Sequence, residues 1–264
     1  MNEIPELNVE KTKNDIVEFV QNKVSEANAD GLVVGLSGGI DSTLAAFLAC
    51  EAVGKENVFG IVMPSTTTPT EDKLHGTTIA QLLGINYKEM AIDSILNEFL
   101  SITQLDEDVQ SIGNLKARIR MSIVYFYANS KNYLVSGTGN KSEILIGYFT
   151  KYGDGACDIE PIGDLYKTDV YQLAKYLNIP QEIIDKPPRA GLWNNQTDEQ
   201  ELGMTYELID RILYQHIEKD LDSNTISKEL DIDVADVDNI INRVERNKHK
   251  NKVPESPKKT TMVI

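Results

Sequence analysis

Two adjacent glycines, two serines and one aspartate lie close together near the N-terminus. The stretch runs from Gly35 to Ser42 and reads Gly-Leu-Ser-Gly-Gly-Ile-Asp-Ser. Because glycine has no Cβ, the backbone at Gly38 and Gly39 can approach an anion closely and adopt positive φ. Backbone N–H groups in such a loop suit a phosphate. Asp41 would repel that anion unless a cation lay between them, so the pattern implies Mg²⁺.

This loop differs from the common phosphate-binding fingerprints. It lacks the Gly-Lys-Ser/Thr ending of the Walker loop, and the dinucleotide pattern G-x-G-x-x-G is not in its place. An ordinary strand-to-helix turn is the plain alternative. The string Ser-Gly-Gly-Ile-Asp-Ser resembles the pyrophosphate loop of the N-type ATP pyrophosphatases, which cut ATP between its α and β phosphates.

Strands and helices alternate around this loop. The apolar pattern predicts strands over residues 32–36, 58–63, 86–91 and 133–136, and helices over residues 9–29, 42–53 and 71–83. The alternation favours an α/β fold, and we expect a doubly wound, Rossmann-like parallel sheet of five strands with helices on both faces. Ligands bind such sheets beyond the carboxyl ends of the strands, where the glycine-rich loop lies.

A long helix is predicted over residues 108–129. Its second half, residues 119–128, is apolar nearly all round. Since a helix that is apolar on every side must be buried on every side, two explanations stay open. The helix packs against a second subunit, which would make the protein a homodimer, or it is a central helix of the monomer.

The composition is that of an ordinary globular protein. The chain has 264 residues, of which 41% are hydrophobic and 25% charged, and its formal net charge is −15. This charge disfavours nucleic-acid binding, which needs basic surface. No apolar run approaches the ~20 residues that span a bilayer, and the first residues do not resemble a signal peptide. We therefore expect a cytoplasmic protein that binds neither nucleic acid nor membrane.

The C-terminal region carries no DNA-binding signal. Predicted helices over residues 226–230 and 234–246 superficially suggest a helix-turn-helix, but Asp233, Asp236 and Asp238 stand where a DNA reader needs Arg, Asn or Gln. A helical hairpin is favoured instead. We expect one domain over residues 1–264, ending in a flexible tail over residues 251–264.

Four further stretches point to one family. They are residues 114–121 (Asn-Leu-Lys-Ala-Arg-Ile-Arg-Met), residues 137–143 (Gly-Thr-Gly-Asn-Lys-Ser-Glu), residues 147–158, which contain Phe-Thr-Lys-Tyr-Gly-Asp-Gly, and residues 196–199 (Gln-Thr-Asp-Glu). With the loop, they closely resemble the ammonia-dependent NAD⁺ synthetases over nearly the whole chain. The resemblance implies an adenine nucleotide alpha hydrolase-like fold and the last step of NAD⁺ biosynthesis. ATP adenylates the nicotinate carboxylate of deamido-NAD⁺, releasing pyrophosphate, and ammonia then displaces AMP.

The resemblance also implies which residues bind ATP and Mg²⁺. The ATP set is Gly35, Leu36, Ser37, Gly38, Gly39, Ile40, Asp41, Ser42, Thr138, Lys167 and Arg189. Asp41 and Glu143 match the two Mg²⁺ ligands, although Glu143 taken alone is equally well explained as a helix-start carboxylate. Arg189 departs from the small hydroxyl residue of the family, so it is either an extra phosphate clamp or a solvated charge.

A second set matches the deamido-NAD⁺ positions of the family. It consists of Arg118, Lys151, Asp154, Asp158, His249 and Lys250. Arg118, inside the apolar helix, needs an anionic partner, which is either a substrate phosphate or a carboxylate across a subunit interface. Asp154 would lie near the reacting centre and help deliver ammonia, or it is a turn aspartate. His249 and Lys250 are alternatively a solvated charge run.

Two other functions compete with this interpretation. An RNA thiolase would bring a basic surface and catalytic cysteines, whereas this chain is acidic and its Cys50 and Cys157 lie far apart. A nucleotide sensor would not need Asp41, Glu143 and Lys167 together. The sequence also offers no activated cysteine with a histidine partner for a glutaminase, so free ammonia is the expected nitrogen donor.

Overall fold

The fold is described from a computed structural model, over residues 4–103, 108–189, 191, 193 and 197–257. Its sheet consists of four parallel strands, β1 (Gly31–Gly35), β2 (Val58–Val62), β3 (Asn86–Glu89) and β4 (Tyr133–Ser136). The strands lie in the order β3-β2-β1-β4. The chain therefore moves outward from β1 to β3 and then returns to the other side of β1. This reversal places a crevice between the carboxyl ends of β1 and β4.

The prediction of five strands is wrong, because the sheet has four in the described part of the chain. Residues 157–159 run beside β4 and form only a single parallel bridge, between Ser136 and Ile159. The N–H of Val135 donates to the carboxylate of Asp158 at 2.7 Å. Because this N–H is bound to a side chain, it is not available to a backbone carbonyl of a fifth strand, and the strand pairing is interrupted here.

Helices surround the sheet, and their predicted positions are largely confirmed. The helices of the described residues are α1 (Val9–Glu26), α2 (Ile40–Val53), α3 (Thr70–Leu83), α4 (Asp93–Thr103), α5 (Val109–Lys131), α6 (Lys141–Ile146), α7 (Lys167–Tyr176), α8 (Gln181–Ile184), α9 (Asp198–Leu202), α10 (Tyr206–Leu213), α11 (Ser223–Leu230) and α12 (Val234–Asn247). None of them is long and apolar enough to cross a membrane.

Both faces of the sheet are covered, as a doubly wound fold requires. On one face, Leu32 and Val34 of β1 pack with Ala46 of α2. On the other face, Val33 packs with Val124 of α5. Since successive side chains of a strand point to opposite faces, this run of apolar residues is what a strand buried on both faces needs.

Helix α5 is not buried on every side within one chain. Val124 and Ala128 are buried against the sheet, whereas Phe126 is 70% exposed. Exposed apolar side chains also occur on α4, which packs on α5, with Phe99 and Ile102 among them. Of the two explanations left open for this helix, a central helix of the monomer is therefore wrong, and packing against a second subunit stays a prediction.

The last two helices form the expected hairpin. Ile226 of α11 and Val237 and Ile240 of α12 are buried in one cluster with Ile209 of α10. Residues 253–257 have no regular structure. Residues 258–264 of the predicted tail lie outside the described residues, as does Gln196 of the motif at residues 196–199.

Candidate active site

A cavity of about 470 Å³ opens beyond the carboxyl ends of β1, β2 and β4. It lies at the crevice where the strand order reverses. The sequence-predicted residues that line it are Gly35, Leu36, Ser37, Gly39, Ile40, Asp41, Ser42, Thr138, Glu143, Asp154, Lys167, Arg189 and Lys250.

The glycine-rich loop forms one wall of the cavity and ends in a helix N-terminus. Gly38 has φ of +79°, and a Cβ there would lie 2.1 Å from the carbonyl oxygen of Asp72. Gly39 is the N-cap residue of α2, and no side chain in the described residues caps the first N–H groups of this helix. These N–H groups remain available to an anion, where the helix dipole favours negative charge.

The two serines of the loop are held together at its mouth. Their hydroxyls lie 2.9 Å apart, and the N–H of Ser37 donates to Oγ of Ser42 at 3.2 Å. Ser42 Oγ also donates to the carbonyl of Gly39 at 3.1 Å. The loop is thus closed on itself before any ligand arrives.

Three charged side chains from three helices converge beside the loop. Lys167 Nζ lies 2.6 Å from Oδ2 of Asp41 and 3.3 Å from Oε1 of Glu143. The lysine side chain is 1% exposed. Desolvation alone would lower the pKa of Lys167, but the carboxylates of Asp41 and Glu143 raise it, so the ammonium is held charged. Burial raises the pKa of Glu143, and the charge of Lys167 opposes this effect.

Neighbouring polar side chains hold these three groups in place, and one of them, Asp210, was not singled out from the sequence. Asn140 caps α6 by accepting the N–H of Glu143, and its Nδ2 donates to Oδ1 of Asp41 at 2.9 Å. Buried Asp210 accepts a hydrogen bond from the hydroxyl of Ser142, which in turn accepts the N–H of Lys167. The hydrogen bond between Ser142 and Asp210 joins the motif at residues 137–143 to α10. Because α10 lies far along the chain, no local sequence pattern points to Asp210.

Asp154 lies at the opposite side of the cavity. Its Oδ1 accepts the N–H of Thr150 at 3.0 Å in a tight turn. The cavity walls displace water from this carboxylate, so desolvation raises the pKa of Asp154. Nearby Arg120, which sequence reasoning passed over, also lines the cavity and donates from Nε to the carbonyl of Met63 at 3.0 Å. Desolvation lowers the pKa of Arg120, and the negative charge of Asp154 opposes this effect.

Lys250 is not a solvated charge. Its Nζ donates to the carbonyls of Gly147 and Phe149 at 2.7 and 2.9 Å, and desolvation lowers its pKa. His249 is exposed, and its carbonyl accepts Nζ of Lys151 at 2.7 Å. The side chain of Lys250 thus fixes the C-terminal segment against the family string at residues 147–158.

The remaining predicted dinucleotide residues do not line the cavity in a single chain. Arg118 is exposed rather than buried, and it donates to the carbonyl of Lys151 at 3.3 Å. Asp158 accepts hydrogen bonds from the N–H of Val135 and the hydroxyl of Tyr125. The premise that Arg118 needs a buried anionic partner is therefore wrong for one chain, because α5 exposes that side.

Arg189 is neither solvated nor directed at the loop alone. It binds Asp72 through two hydrogen bonds of 3.0 and 2.6 Å and lies 3.2 Å from Glu71. Its hydrogen bond to Asp72 raises its pKa further. Asp72 also accepts Lys186, a second cation at the cavity wall that the sequence did not single out.

Comparison with known proteins is consistent with this geometry. A family model described as NAD synthase matches residues 12–254. The NH(3)-dependent NAD(+) synthetase of Methanocaldococcus jannaschii is 48% identical over 252 residues, covering 94% of this chain and 97% of that protein. Two solved structures are similar: an NMN synthetase from Francisella tularensis (TM-score 0.85, 34% identity, covering 96% of this chain and 99% of that one), and an NH3-dependent NAD synthetase from Campylobacter jejuni (TM-score 0.80, 37% identity, covering 96% and 100%).

Proposed function

The chain belongs to the NAD synthase family, and from this premise we propose that the cavity beyond β1 and β4 is its active site. The enzyme amidates deamido-NAD⁺ with ammonia at the expense of ATP, giving NAD⁺, AMP and pyrophosphate. The convergence of Asp41, Glu143 and Lys167 beside an uncapped helix N-terminus supports this location. Charged groups of both signs at one buried point are what a triphosphate with a metal ion needs.

The chemistry explains why ATP is consumed. A carboxylate resists attack by ammonia, whereas a carboxyl adenylate has AMP as a good leaving group. The site must hold the nicotinate carboxylate in line with the α-phosphorus, neutralise the charge that builds on pyrophosphate, and exclude water. Positioning of this kind removes about 7–11 kcal/mol of barrier.

The ATP phosphates are assigned to the glycine-rich loop. Backbone N–H groups of residues 35–42 and the hydroxyls of Ser37 and Ser42 are the donors, and Lys167 supplies a compact positive charge that Asp41 and Glu143 hold in place. Thr138 lines the cavity beside them. Arg189 stands at the rim, where its guanidinium lies within reach of the same cavity while bound to Asp72.

Asp41 and Glu143 fit a magnesium ion. Both are carboxylates, both approach the same Nζ of Lys167, and both line the cavity with the loop. Mg²⁺ is commonly bound by one or two carboxylates together with substrate phosphates, and it would neutralise the charge on the leaving pyrophosphate. The described residues contain no cluster of three or more His, Cys, Asp or Glu side chains suited to a metal.

Asp154 is assigned to the ammonia step. Its raised pKa places it among carboxylates able to take a proton from bound ammonium. The cavity brings it to the same chamber as Glu143 and Lys167. The attacking nitrogen loses a proton as the amide forms, and the carboxylate of Asp154 on this wall accepts that proton.

The dinucleotide residues outside the cavity imply a second copy of the chain. Arg118 lies on the exposed side of α5, the helix that also exposes Phe126. A homodimer that covers this face would bury the apolar residues and bring Arg118, Lys151, Asp158 and His249 to a groove for deamido-NAD⁺. The mass measured by light scattering tests this part separately: a dimer supports it, and a monomer at micromolar concentration contradicts it.

The activity is tested by pyrophosphate release with ATP, Mg²⁺, deamido-NAD⁺ and ammonium, each omitted in turn. We expect release to require deamido-NAD⁺, and NAD⁺ to form only with ammonium. Nicotinate mononucleotide is the matched control, because the Francisella tularensis relative is named an NMN synthetase. Faster turnover of nicotinate mononucleotide than of deamido-NAD⁺ would make the mononucleotide the substrate. Pyrophosphate release that requires neither compound would refute the proposal.

A further inference from the structure

A buried lysine holds the carbonyl of the loop glycine from behind. Lys186 Nζ donates to the carbonyl of Gly38 and to Oδ1 of Asp72 at 2.8 Å, and it lies 3.2 Å from Nδ1 of His75. The side chains of Lys186 and Asp72 are 6% and 8% exposed. His75 is buried as well. All three donors of the ammonium therefore have partners inside the protein.

The contact with His75 defines the state of the imidazole. A lysine ammonium has three donors and no acceptor, so Nδ1 of His75 must accept, and the ring carries its proton on Nε2. His75 and Asp72 both lie on α3. Helix α3 thus supplies two acceptors that fix the ammonium beneath the loop.

Lys186 reaches this place from a rigid segment. It follows α8, whose Ile183 and Ile184 are buried in the core, and it precedes Pro187 and Pro188. Proline fixes its own φ and restricts the residue before it. The lysine is therefore presented by a constrained backbone, and its long side chain is ordered by three acceptors.

The orientation of one peptide bond depends on this contact. In a trans peptide, the C=O of one residue and the N–H of the next point in opposite directions. With the carbonyl of Gly38 held by Lys186, the N–H of Gly39 faces the other way, where it donates to Oγ of Ser37 at 3.2 Å. Gly39 and Ser37 both line the cavity.

Glycine on both sides makes this peptide easy to turn. Gly38 and Gly39 carry no side chain that would resist a change of φ and ψ, so the loop alone does not fix the direction of the bond. A turned peptide would present a carbonyl oxygen to the phosphate in place of a donor. Donors that are aimed before the substrate arrives need no reorganisation during the reaction.

We propose that Lys186, held by Asp72 and His75, is a positioning residue that keeps the Gly38–Gly39 peptide turned so that the N–H of Gly39 meets the ATP phosphates. Lys186 acts through the loop and does not itself bind the substrate. This inference rests on the proposed assignment of residues 35–42 to the phosphates, and the experiment separates the two.

The test is ATP–pyrophosphate exchange with deamido-NAD⁺ and Mg²⁺ in the absence of ammonia. We expect Lys186→Met to lower kcat/KM for ATP by about 10- to 100-fold. This is somewhat less than the loss of a hydrogen-bond donor itself would cause, because the variant only releases the peptide that carries the donor. KM for deamido-NAD⁺ stays within about threefold, since the dinucleotide groove is untouched. Lys175→Met, which removes an exposed lysine of α7, keeps wild-type exchange.

His75 provides an internal rescue that does not remove the lysine. His75→Gln retains an acceptor for Nζ and is expected to keep exchange close to wild type, whereas His75→Leu loses it in the same direction as Lys186→Met. Comparison of His75→Gln with His75→Leu tests the positioning role of Lys186 even where Lys186→Met fails to fold. Equal activity of His75→Gln and His75→Leu contradicts the positioning role, as does an equal rise of KM for both substrates.

Ser42→Ala separates this inference from the phosphate assignment on which it rests. Wild-type exchange by Lys186→Met overturns the role of Lys186. If Ser42→Ala nevertheless raises KM for ATP, the phosphate loop stands and only the lysine inference falls. If Ser42→Ala is also without effect, the assignment of residues 35–42 falls with it.

Discussion

The residues that we assign to the ATP phosphates (the phosphate half) lie together within one chain, whereas those that we assign to deamido-NAD⁺ (the dinucleotide half) do not. Around the loop, Asp41, Glu143 and Lys167 are buried or nearly so and bound to one another. In the dinucleotide half, Arg118 and Lys151 donate hydrogen bonds to backbone carbonyls outside the cavity. The first half is preorganised electrostatics, and the second is a surface that needs a substrate or a second chain to acquire partners.

This contrast has a physical origin. Phosphate charge can be met by backbone N–H groups and a few buried ions, which one sheet edge can supply. A dinucleotide is long and needs an extended surface, and exposed Phe126 on α5 indicates where that surface continues. Large exposed apolar patches mark interaction sites in globular proteins. Of the four predictions below, three act on one half or the other and the fourth on a carboxyl group between them, from the largest expected effect to the smallest.

Asp41→Asn breaks the phosphate half. It removes a carboxylate from Lys167 and from the proposed metal, and we expect kcat to fall by about 10²–10³-fold, as for loss of one electrostatic group aimed at the transition state. Steady-state NAD⁺ formation at saturating Mg²⁺ measures the effect. Asp238→Asn, an exposed carboxylate of α12, is the matched control. An unchanged kcat in Asp41→Asn would contradict the assignment.

Asp154→Asn separates the two chemical steps. Losing a proton acceptor lowers the rate of amide formation by about 10²-fold or more, while ATP–pyrophosphate exchange without ammonia stays close to wild type. Rapid-quench measurement of the adenylate and of NAD⁺ follows both steps. If exchange fell as far as amide formation, Asp154 would be a structural turn residue, held only by its bond to Thr150.

Arg118→Ala acts on the dinucleotide half alone. Removing an exposed cation that meets a substrate phosphate raises KM for deamido-NAD⁺ by about tenfold, in line with a charged hydrogen bond of roughly 1.5–3 kcal/mol, and leaves KM for ATP unchanged. Initial rates at varied deamido-NAD⁺ give the value. Dissociation of a dimer with KM unchanged would instead assign Arg118 to a salt bridge between subunits.

Glu160 lies between the two halves and makes stability depend on pH. It accepts bonds from the N–H of Gly139 and from Sγ of Cys157. Desolvation raises its pKa from the ordinary 4.5 to about 7. The native state then holds a proton that the unfolded chain releases, so the stability from this group is fully present below about pH 4.5 and is lost as pH rises through about 7.

Glu160→Gln removes this dependence. From pH 5 to pH 8 the free energy of unfolding of the variant rises by about 1–3 kcal/mol relative to that of the wild type, because only the wild type loses the contribution of this proton. One pKa unit corresponds to about 1.4 kcal/mol, and the partial exposure of Glu160 reduces the full value. Urea unfolding at both pH values measures the difference. The same difference between variant and wild type at pH 5 and pH 8 would show that the proton is not held in the native state.

The sequence predicted the local structure of the glycine-rich loop well because its signals are local. The order Ser-Gly-Gly-Ile-Asp-Ser depends on a turn and a helix start, and Gly38 indeed has positive φ. The strand pattern also predicted β1, β2, β3 and β4 at nearly their observed bounds. Glu143 and Lys167 were recognised only through the resemblance to the family, because only the fold brings them to Asp41.

The failures arise from long-range contacts. A fifth strand was expected, yet the carboxylate of Asp158 takes the N–H of Val135 that the strand would have used. Of the two explanations for the apolar helix α5, burial within the monomer is wrong, because one side of the helix faces solvent in a single chain, and packing against a second subunit stays a prediction. Lys186, Asp72 and Asp210 were missed, because a lone lysine or aspartate gives no periodic signal until its distant partner is known.

The most direct test is a crystal structure with Mg²⁺ and an ATP analogue whose α,β bridge is a methylene group. We predict the triphosphate on the N–H groups at the start of α2, with carboxylate oxygens of Asp41 and Glu143 on the same ion. Carboxylates pointing apart, with the triphosphate seated elsewhere in the cavity, would contradict the account.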